Sequence, residues 1–220
     1  MKVLITAGST QVPIDQVRCI SNIFKGRTGA DIAHYFVAKK NEVTLITSDK
    51  HALEGTTLSE RLTLKTFRTY DELFNIMRWE VIASNYDVII HSAAVSDYRV
   101  SGVCLMEGGQ QLELAQNGKI SSSHEEIYLR LTPTQKIIDL IRSDWFFTGY
   151  LVKFKLQVNM TDQELIKIAT KSRTDSQADM IVANCLEWSK ERAYIITEDE
   201  TTPVGRDYIG SSIYQKITNK

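Results

Sequence analysis

The apolar positions change period several times along the chain. Val3 to Ala7 is a short apolar run ending at Gly8, the pattern of a buried strand. From Gly8 to Gly26 no period holds, and Pro13 interrupts the stretch early. After Gly29, residues Ile32, Ala33, Phe36 and Val37 recur at helical spacing, with Lys39 and Lys40 expected in the last turn and Asn41 as the stop. Val43 to Thr47 then reads as a second strand, and Leu62 to Phe67 as a third of mixed pattern. Leu73, Ile76, Met77, Val81 and Ile82 predict a second amphipathic helix, and Asp87 to Ala94 a strongly apolar strand. Strands alternating with helices imply a parallel sheet covered on both faces.

Residues 100–132 break this rhythm. Gly102, Gly108, Gly109 and Gly118 punctuate the alternating pieces LELAQ and EEIYLRL, which predict a strand-rich excursion, a flap or a subunit-pairing arm. The regular pattern then resumes, with a helix at Ile137, Ile138 and Ile141 and a strand from Tyr150 to Leu156. Thr161 and Glu164 form a capping box that opens another helix. Asp179 to Asn184 and Ala193 to Thr197 predict two more strands, and Asp207 to Ile217 a weaker final helix. With no repeat and no long linker, the expectation is one domain over residues 1–220. Its fold class is α/β, a Rossmann-like, doubly wound, mostly parallel sheet with a flap or dimerisation segment at 100–132.

Composition narrows the function classes. The 220 residues are 43% hydrophobic, enough for one sizeable core. The formal net charge is -1 and no block of five like charges occurs, so nucleic acid is not an expected partner. Cys19, Cys104 and Cys185 are far apart, with no CxxC and no metal-type pairing with histidine, which fits a reducing compartment. Cys19 and Cys185 read as buried, inert thiols. No run approaches the roughly 20 apolar residues that span a bilayer, and MKVLITAG is too short for a signal peptide. The expectation is a soluble cytoplasmic protein without a membrane partner.

Ligands of open parallel sheets bind beyond the carboxyl ends of the strands. Four segments lie there: TAGST (6–10), GRTG (26–29), SAAVSDY (92–98) and VAN (182–184). Gly26 and Gly29 flank a helix start, where backbone N–H groups and the helix dipole favour anions, and Arg27 adds a permanent charge suited to phosphate. A plain turn before a helix explains the same glycines equally well. Asp97 is suited to accept hydrogen bonds from a ligand, or to serve as a turn aspartate. Arg18 suits a phosphate or carboxylate, and Asn22 a developing oxyanion, although each alone reads as a surface loop residue. His91 sits on an apolar strand and reads as a packed histidine. Trp145, Phe146 and Phe147 read as packing or interface.

A GxGxxG fingerprint is absent after the first strand, which weakens a nicotinamide-dependent oxidoreductase. Asp49, near the end of the second strand, keeps that alternative open, with a solvated turn as its simpler reading. A non-catalytic nucleotide-sensing module is a third possibility. GxSxG, P-loop and HExxH motifs are also absent, and no metal-ligating residues are expected.

The order of the segments is more specific than any one of them. TAGST-x-x-P-I-D-x-V-R-x-I-S-N, then K-G-R-T-G, A-A-V-S-D-Y, K-I-S-S, F-K-L and A-D-M-I-V-A-N resembles the phosphopantothenoylcysteine synthetase family. The resemblance runs from residue 2 to about residue 200 and is to the stand-alone bacterial type, with no flavin-dependent decarboxylase domain in front. It implies a phosphopantothenate–cysteine ligase of coenzyme A synthesis, which activates 4′-phosphopantothenate as an acyl-nucleotide and then couples L-cysteine. CTP, or ATP, is the implied co-substrate, with Mg²⁺. By the same resemblance Gly8, Ser9, Gly26, Arg27, Gly29, Phe154 and Asn184 bind the nucleotide, and Arg18, Asn22, Ala93, Ala94 and Asp97 the substrate. Asn22 and Lys119 are the implied catalytic residues. A homodimer is also implied, with Arg18 reaching the neighbouring subunit's site. Departures fall at Phe24 and Lys25, where many members have two serines, at Ser121, where fused members often have lysine, and at Lys153, where many have glycine.

Overall fold

The structure, a computed structural model, describes residues 1–49, 60–107, 110–114 and 118–219. Gly108, Gly109 and the last two residues of LELAQ lie outside the described residues. In chain order the elements are β1 (Lys2–Ala7), β2 (Gln11–Pro13), β3 (Cys19–Ser21), α1 (Arg27–Ala38), β4 (Glu42–Thr47), β5 (Leu62–Thr66), α2 (Tyr70–Ala83) and β6 (Val88–His91). There follow β7 (Tyr98–Glu107), β8 (Gln110–Leu114), β9 (Tyr128–Pro133), α3 (Ile137–Ser143), β10 (Tyr150–Gln157) and α4 (Asp162–Asp175). The chain finishes with β11 (Met180–Cys185), β12 (Arg192–Ile196), β13 (Thr201–Gly205) and α5 (Ile209–Thr218).

The large sheet has the order β13-β12-β11-β10-β6-β1-β4-β5. The six strands from β11 to β5 are parallel, and β12 and β13 add an antiparallel edge. Reading β5-β4-β1-β6-β10-β11 in chain order gives the doubly wound order 3-2-1-4-5-6, whose switch point lies between β1 and β6. The expected Rossmann-like sheet is therefore present.

Alternate residues of each central strand feed opposite cores, as the pleat requires. Val3, Ile5 and Ala7 of β1 pack with Ile32, Ala33 and Phe36 of α1 and with Ile209 and Ile213 of α5. Leu4 and Ile89 pack with Leu73 and Met77 of α2 and Ile137 and Ile141 of α3. Ile181 and Ala183 meet Leu165 and Ala169 of α4. Phe36 is fully buried, and burying such a side chain contributes about 2–3 kcal/mol.

Several boundaries differ from the sequence pattern. Helix α1 starts at Arg27 and ends at Ala38, so Lys39 caps it and Lys40, with φ 63°, lies beyond its last turn. Asn41 does stop the helix: its Nδ2 donates to the Phe36 carbonyl at 2.9 Å. Strand β6 ends at His91, and pairing with the β1 side continues only as an isolated Ser9–Ala94 bridge. The stretch 8–26 contains a small hairpin, β2–β3, whose three-residue strands are too short to show a period. β13 also escapes the pattern reading.

The excursion is a three-stranded antiparallel sheet of order β8-β7-β9. It buries Val103, Cys104 and Leu105, while Tyr98, Met106, Leu112, Tyr128 and Leu131 are exposed. The capping box at α4 is complete, with Thr161 and Glu164 satisfying each other's backbone N–H. Trp145 and Phe147 are buried, whereas Phe146 is exposed. Cys185 is buried as expected, but Cys19 is exposed, because β3 lies in the surface hairpin instead of the core.

Candidate nucleotide and acid-binding site

Four loops converge at the carboxyl edge of the sheet, around its switch point. Gly8 follows β1 with φ 84°, and Gly26 precedes α1 with φ 81°, a region that non-glycine side chains avoid. The two touch: a β-carbon on Gly26 would lie 2.2 Å from the Gly8 nitrogen, and one on Gly8 would lie 2.0 Å from Ser48 Oγ. At Gly29 a β-carbon would stand 2.6 Å from Ser92 Oγ and 2.7 Å from the Ala7 β-carbon. Only backbone fits between the β1 and β6 ends and the first turn of α1.

The start of α1 has no side-chain cap and no acidic residue in its first turn. The N-terminal N–H groups and the positive end of the helix dipole are thus left for an anion. Arg27 stands exposed at the first helical position, where a cation is unfavourable without such an anion.

The loop after β6 is tied to the loop after β1. Ala94 donates its N–H to the Gly8 carbonyl at 2.7 Å, and its own carbonyl accepts the Thr10 N–H at 3.2 Å. The same carbonyl accepts Asn22 Nδ2 at 3.3 Å. Ser9 closes the arrangement, donating its N–H to Ser48 Oγ at 2.9 Å and its hydroxyl to the Asn22 carbonyl at 3.3 Å. Asn22, Ala94, Gly8 and the α1 start therefore form one contiguous surface. Ala93 is fixed from below: its N–H donates to Thr6 Oγ1 at 3.1 Å, and that hydroxyl shares a hydrogen bond with His91 Nδ1 at 2.9 Å. Burial pushes the His91 ring down to about 4, with the Lys153 charge in the same direction, so the ring is neutral near pH 7.

Asp97 lies further along the same loop and is exposed, its carbonyl taking the Thr134 N–H at 2.9 Å. Asp49 follows β4, where its N–H donates to Thr47 Oγ1 at 3.2 Å. Phe154 and Asn184 lie near the carboxyl ends of β10 and β11, on the face that carries α1. Phe154 is half-buried against the α1 core. Lys153 points the other way. Its Nζ is buried and donates to the Ser172 carbonyl and Ser176 Oγ, both at 2.9 Å, at the end of α4. Burial pushes its ammonium down to about 8. Lys153 thus lies on the face opposite Phe154.

Arg18 and Lys119 belong to a second cluster beside the first. Arg18 pairs with Asp15 at 2.5 Å and donates to the Ile120 carbonyl at 2.9 Å. Lys119 is exposed next to that contact. Within one chain, Arg18 is engaged in this way. Ser121 Oγ bonds Ser123 Oγ at 2.8 Å, and Phe24 and Lys25 are exposed. Asp15 and Ser48 carry no role in the sequence reading, yet both organise the loops. The P-I-D segment marks Asp15, but its distant partner is not visible in sequence.

Among the described residues no group of three or more His, Cys, Asp or Glu is placed to hold a metal ion.

The model of the family "DNA/pantothenate metabolism flavoprotein C-terminal domain" matches residues 1–208. The coenzyme A biosynthesis bifunctional protein CoaBC of Thermococcus kodakarensis is 32% identical over 94% of the chain and 45% of its own length. Its counterpart from Methanocaldococcus jannaschii is 28% identical over 98% of the chain and 50% of its own length. The chain spans about half the length of these curated relatives. The crystal structure of the DNA/pantothenate metabolism flavoprotein from Streptococcus pneumoniae superposes with a TM-score of 0.85 at 32% identity, over 100% of this chain and 99% of that one. These matches give the oxidoreductase alternative no support.

Proposed function

The chain belongs to the DNA/pantothenate metabolism flavoprotein C-terminal domain family, and on that premise we propose that it is a phosphopantothenate–cysteine ligase. The 4′-phosphopantothenate carboxylate attacks the α-phosphorus of CTP or ATP, forming an acyl-nucleotide and releasing pyrophosphate. The cysteine amine then attacks the acyl carbon, forming the amide and releasing the nucleoside monophosphate and a proton. A carboxylate is a poor electrophile, and the nucleotidyl group supplies the leaving group.

The observation that carries this reading is the contact surface of Gly8, Gly26, Asn22 and Ala94, which sets an anion-binding helix start beside an amide donor. The Arg27–Gly29 turn holds phosphates, with Ser9 beside it. Phe154 and Asn184 flank base and ribose further along the edge. Ala93, Ala94 and Asp97 line the acid pocket, and Asn22 Nδ2 stabilises charge on the reacting carboxyl. Lys119 neutralises the triphosphate. Mg²⁺ enters with the triphosphate as its counter-ion. The exposed apolar residues of β7–β9 support a homodimer, in which Arg18 serves the neighbouring subunit's site. Three unpaired cysteines support a reducing cytoplasm.

The test is to incubate the pure protein with 4′-phosphopantothenate, cysteine, Mg²⁺ and either nucleotide. Phosphopantothenoylcysteine detected by mass spectrometry supports the proposal. Its absence with both CTP and ATP rejects it.

A further inference from the structure

Asp15 is buried, and its carboxylate accepts five hydrogen bonds. Oδ1 closes a turn by taking the N–H groups of Val17 at 2.8 Å and Arg18 at 2.7 Å. Oδ2 takes Nε and a terminal nitrogen of Arg18, at 3.0 and 2.5 Å. It also takes the Ile120 N–H at 3.1 Å, from 105 residues away in the chain. The Arg18 nitrogen then donates onward to the Ile120 carbonyl at 2.9 Å. On the other side, the Gln16 N–H donates to the Gly118 carbonyl at 3.3 Å.

The backbone of Lys119 is consequently pinned on both sides by residues 15–18, while its side chain stays exposed. Together with Ile14 these residues form the connection between β2 and β3, and β3 leads directly into Asn22. Both ends of the proposed chemistry hang on one hairpin. We infer that Asp15 is a positioning residue, fixing the Lys119 segment relative to Asn22 so that triphosphate charge and reacting carboxyl meet in register. This deepens the ligase reading and rests on it. The Arg18 guanidinium holds the Asp15 carboxyl well below the usual carboxylate range, consistent with a permanently ionised clamp.

Asp15→Asn separates this role from simple folding. An amide oxygen in the Oδ1 position preserves the turn to Val17 and Arg18. An amide nitrogen in the Oδ2 position faces three donors and releases Ile120. The experiment compares wild type, Asp15→Asn, Lys119→Ala and the double variant. The loss expected in kcat/KM for the triphosphate is about tenfold to a hundredfold for Asp15→Asn, with the KM for cysteine unchanged. The double variant is expected to fall no lower than Lys119→Ala, because the two residues act as one unit. A double variant lower by the full product of both losses overturns the inference.

A second readout needs no turnover. Hydrogen exchange at the Ile120 amide is expected to accelerate in Asp15→Asn, and unchanged exchange overturns the clamp. If wild type makes no product, the ligase reading fails while this exchange result and calorimetric CTP and ATP affinities of the four proteins still decide the clamp. Should Asp15→Asn fold poorly, Asp15→Glu keeps the charge but displaces Ile120, and the same non-additive loss is expected.

Discussion

Gly26 packs directly on Gly8, so closely that a β-carbon on Gly26 would lie 2.2 Å from the Gly8 nitrogen. Both residues adopt positive φ. The contact joins the end of β1 to the start of α1 and sets the backbone surface of the proposed phosphate site. Gly26→Ala is expected to destabilise the protein by about 3 kcal/mol through left-handed strain and backbone overlap, and to abolish measurable triphosphate binding. At Gly8 the nearest atom is the Ser48 hydroxyl, at 2.0 Å from a β-carbon. A side chain yields more readily than backbone, so Ser48→Gly should restore part of the stability lost in Gly8→Ala. Thermal unfolding and calorimetric titration check both.

Asn22 reaches the Ala94 carbonyl at 3.3 Å and sits at the junction of the proposed phosphate and acid surfaces. Removing one oxyanion-directed donor costs about a hundredfold or more in turnover. Asn22→Ala and Asn22→Asp are therefore expected to lower kcat by about that factor, with acyl-nucleotide leaking or accumulating in rapid-quench samples. Wild-type turnover in both variants removes Asn22 from the mechanism.

His91 supports the Ala93 loop through Thr6, and burial lowers its pKa from 6.5 to about 4. The unfolded chain therefore binds the proton more readily than the folded one. The stability contribution is complete above pH 6.5 and is lost as pH falls towards 4, by about 3 kcal/mol in all. Urea unfolding from pH 7 to 4.5 should show this decline in wild type, and a shallower one in His91→Gln.

Lys153 behaves in the same way as His91, since burial lowers its ammonium from 10.5 to about 8. The folded protein gives up that proton first, so stability falls as pH drops from 10.5 towards 8, by at most about 3 kcal/mol. Relative to Lys153→Met, wild type should gain stability as pH rises from 8 to 10. Nucleotide affinity should be unchanged in the variant, because Lys153 faces α4 and not the Phe154 side.

Local pattern carried the fold far. Buried runs such as Val3–Ala7 and the helical spacing of Ile32, Ala33 and Phe36 predict β1 and α1, and the alternation of elements predicts the parallel sheet. The capping box at Thr161 is legible because both partners lie within one turn. What escapes has a non-local or very short basis. The strands β2 and β3 have three residues each, too few to show a period. Cys19 reads as buried only if its neighbourhood is core, and the hairpin places it outside. At the site, Gly8 and Gly26 stand out in sequence as turn glycines, but their mutual contact depends on the fold. Asp15 is the clearest case: nothing local in the sequence marks its role, because its bond to Ile120 spans 105 residues.

The central claim is that the carboxylate becomes bonded to the nucleotide's α-phosphorus, and oxygen transfer tests it most directly. The wild-type protein is given 4′-phosphopantothenate labelled with ¹⁸O in its carboxylate, together with cysteine, Mg²⁺ and CTP or ATP. The account predicts one ¹⁸O in the phosphate of the nucleoside monophosphate product. Label in inorganic phosphate alongside a nucleoside diphosphate, or amide product with unlabelled monophosphate, would contradict it.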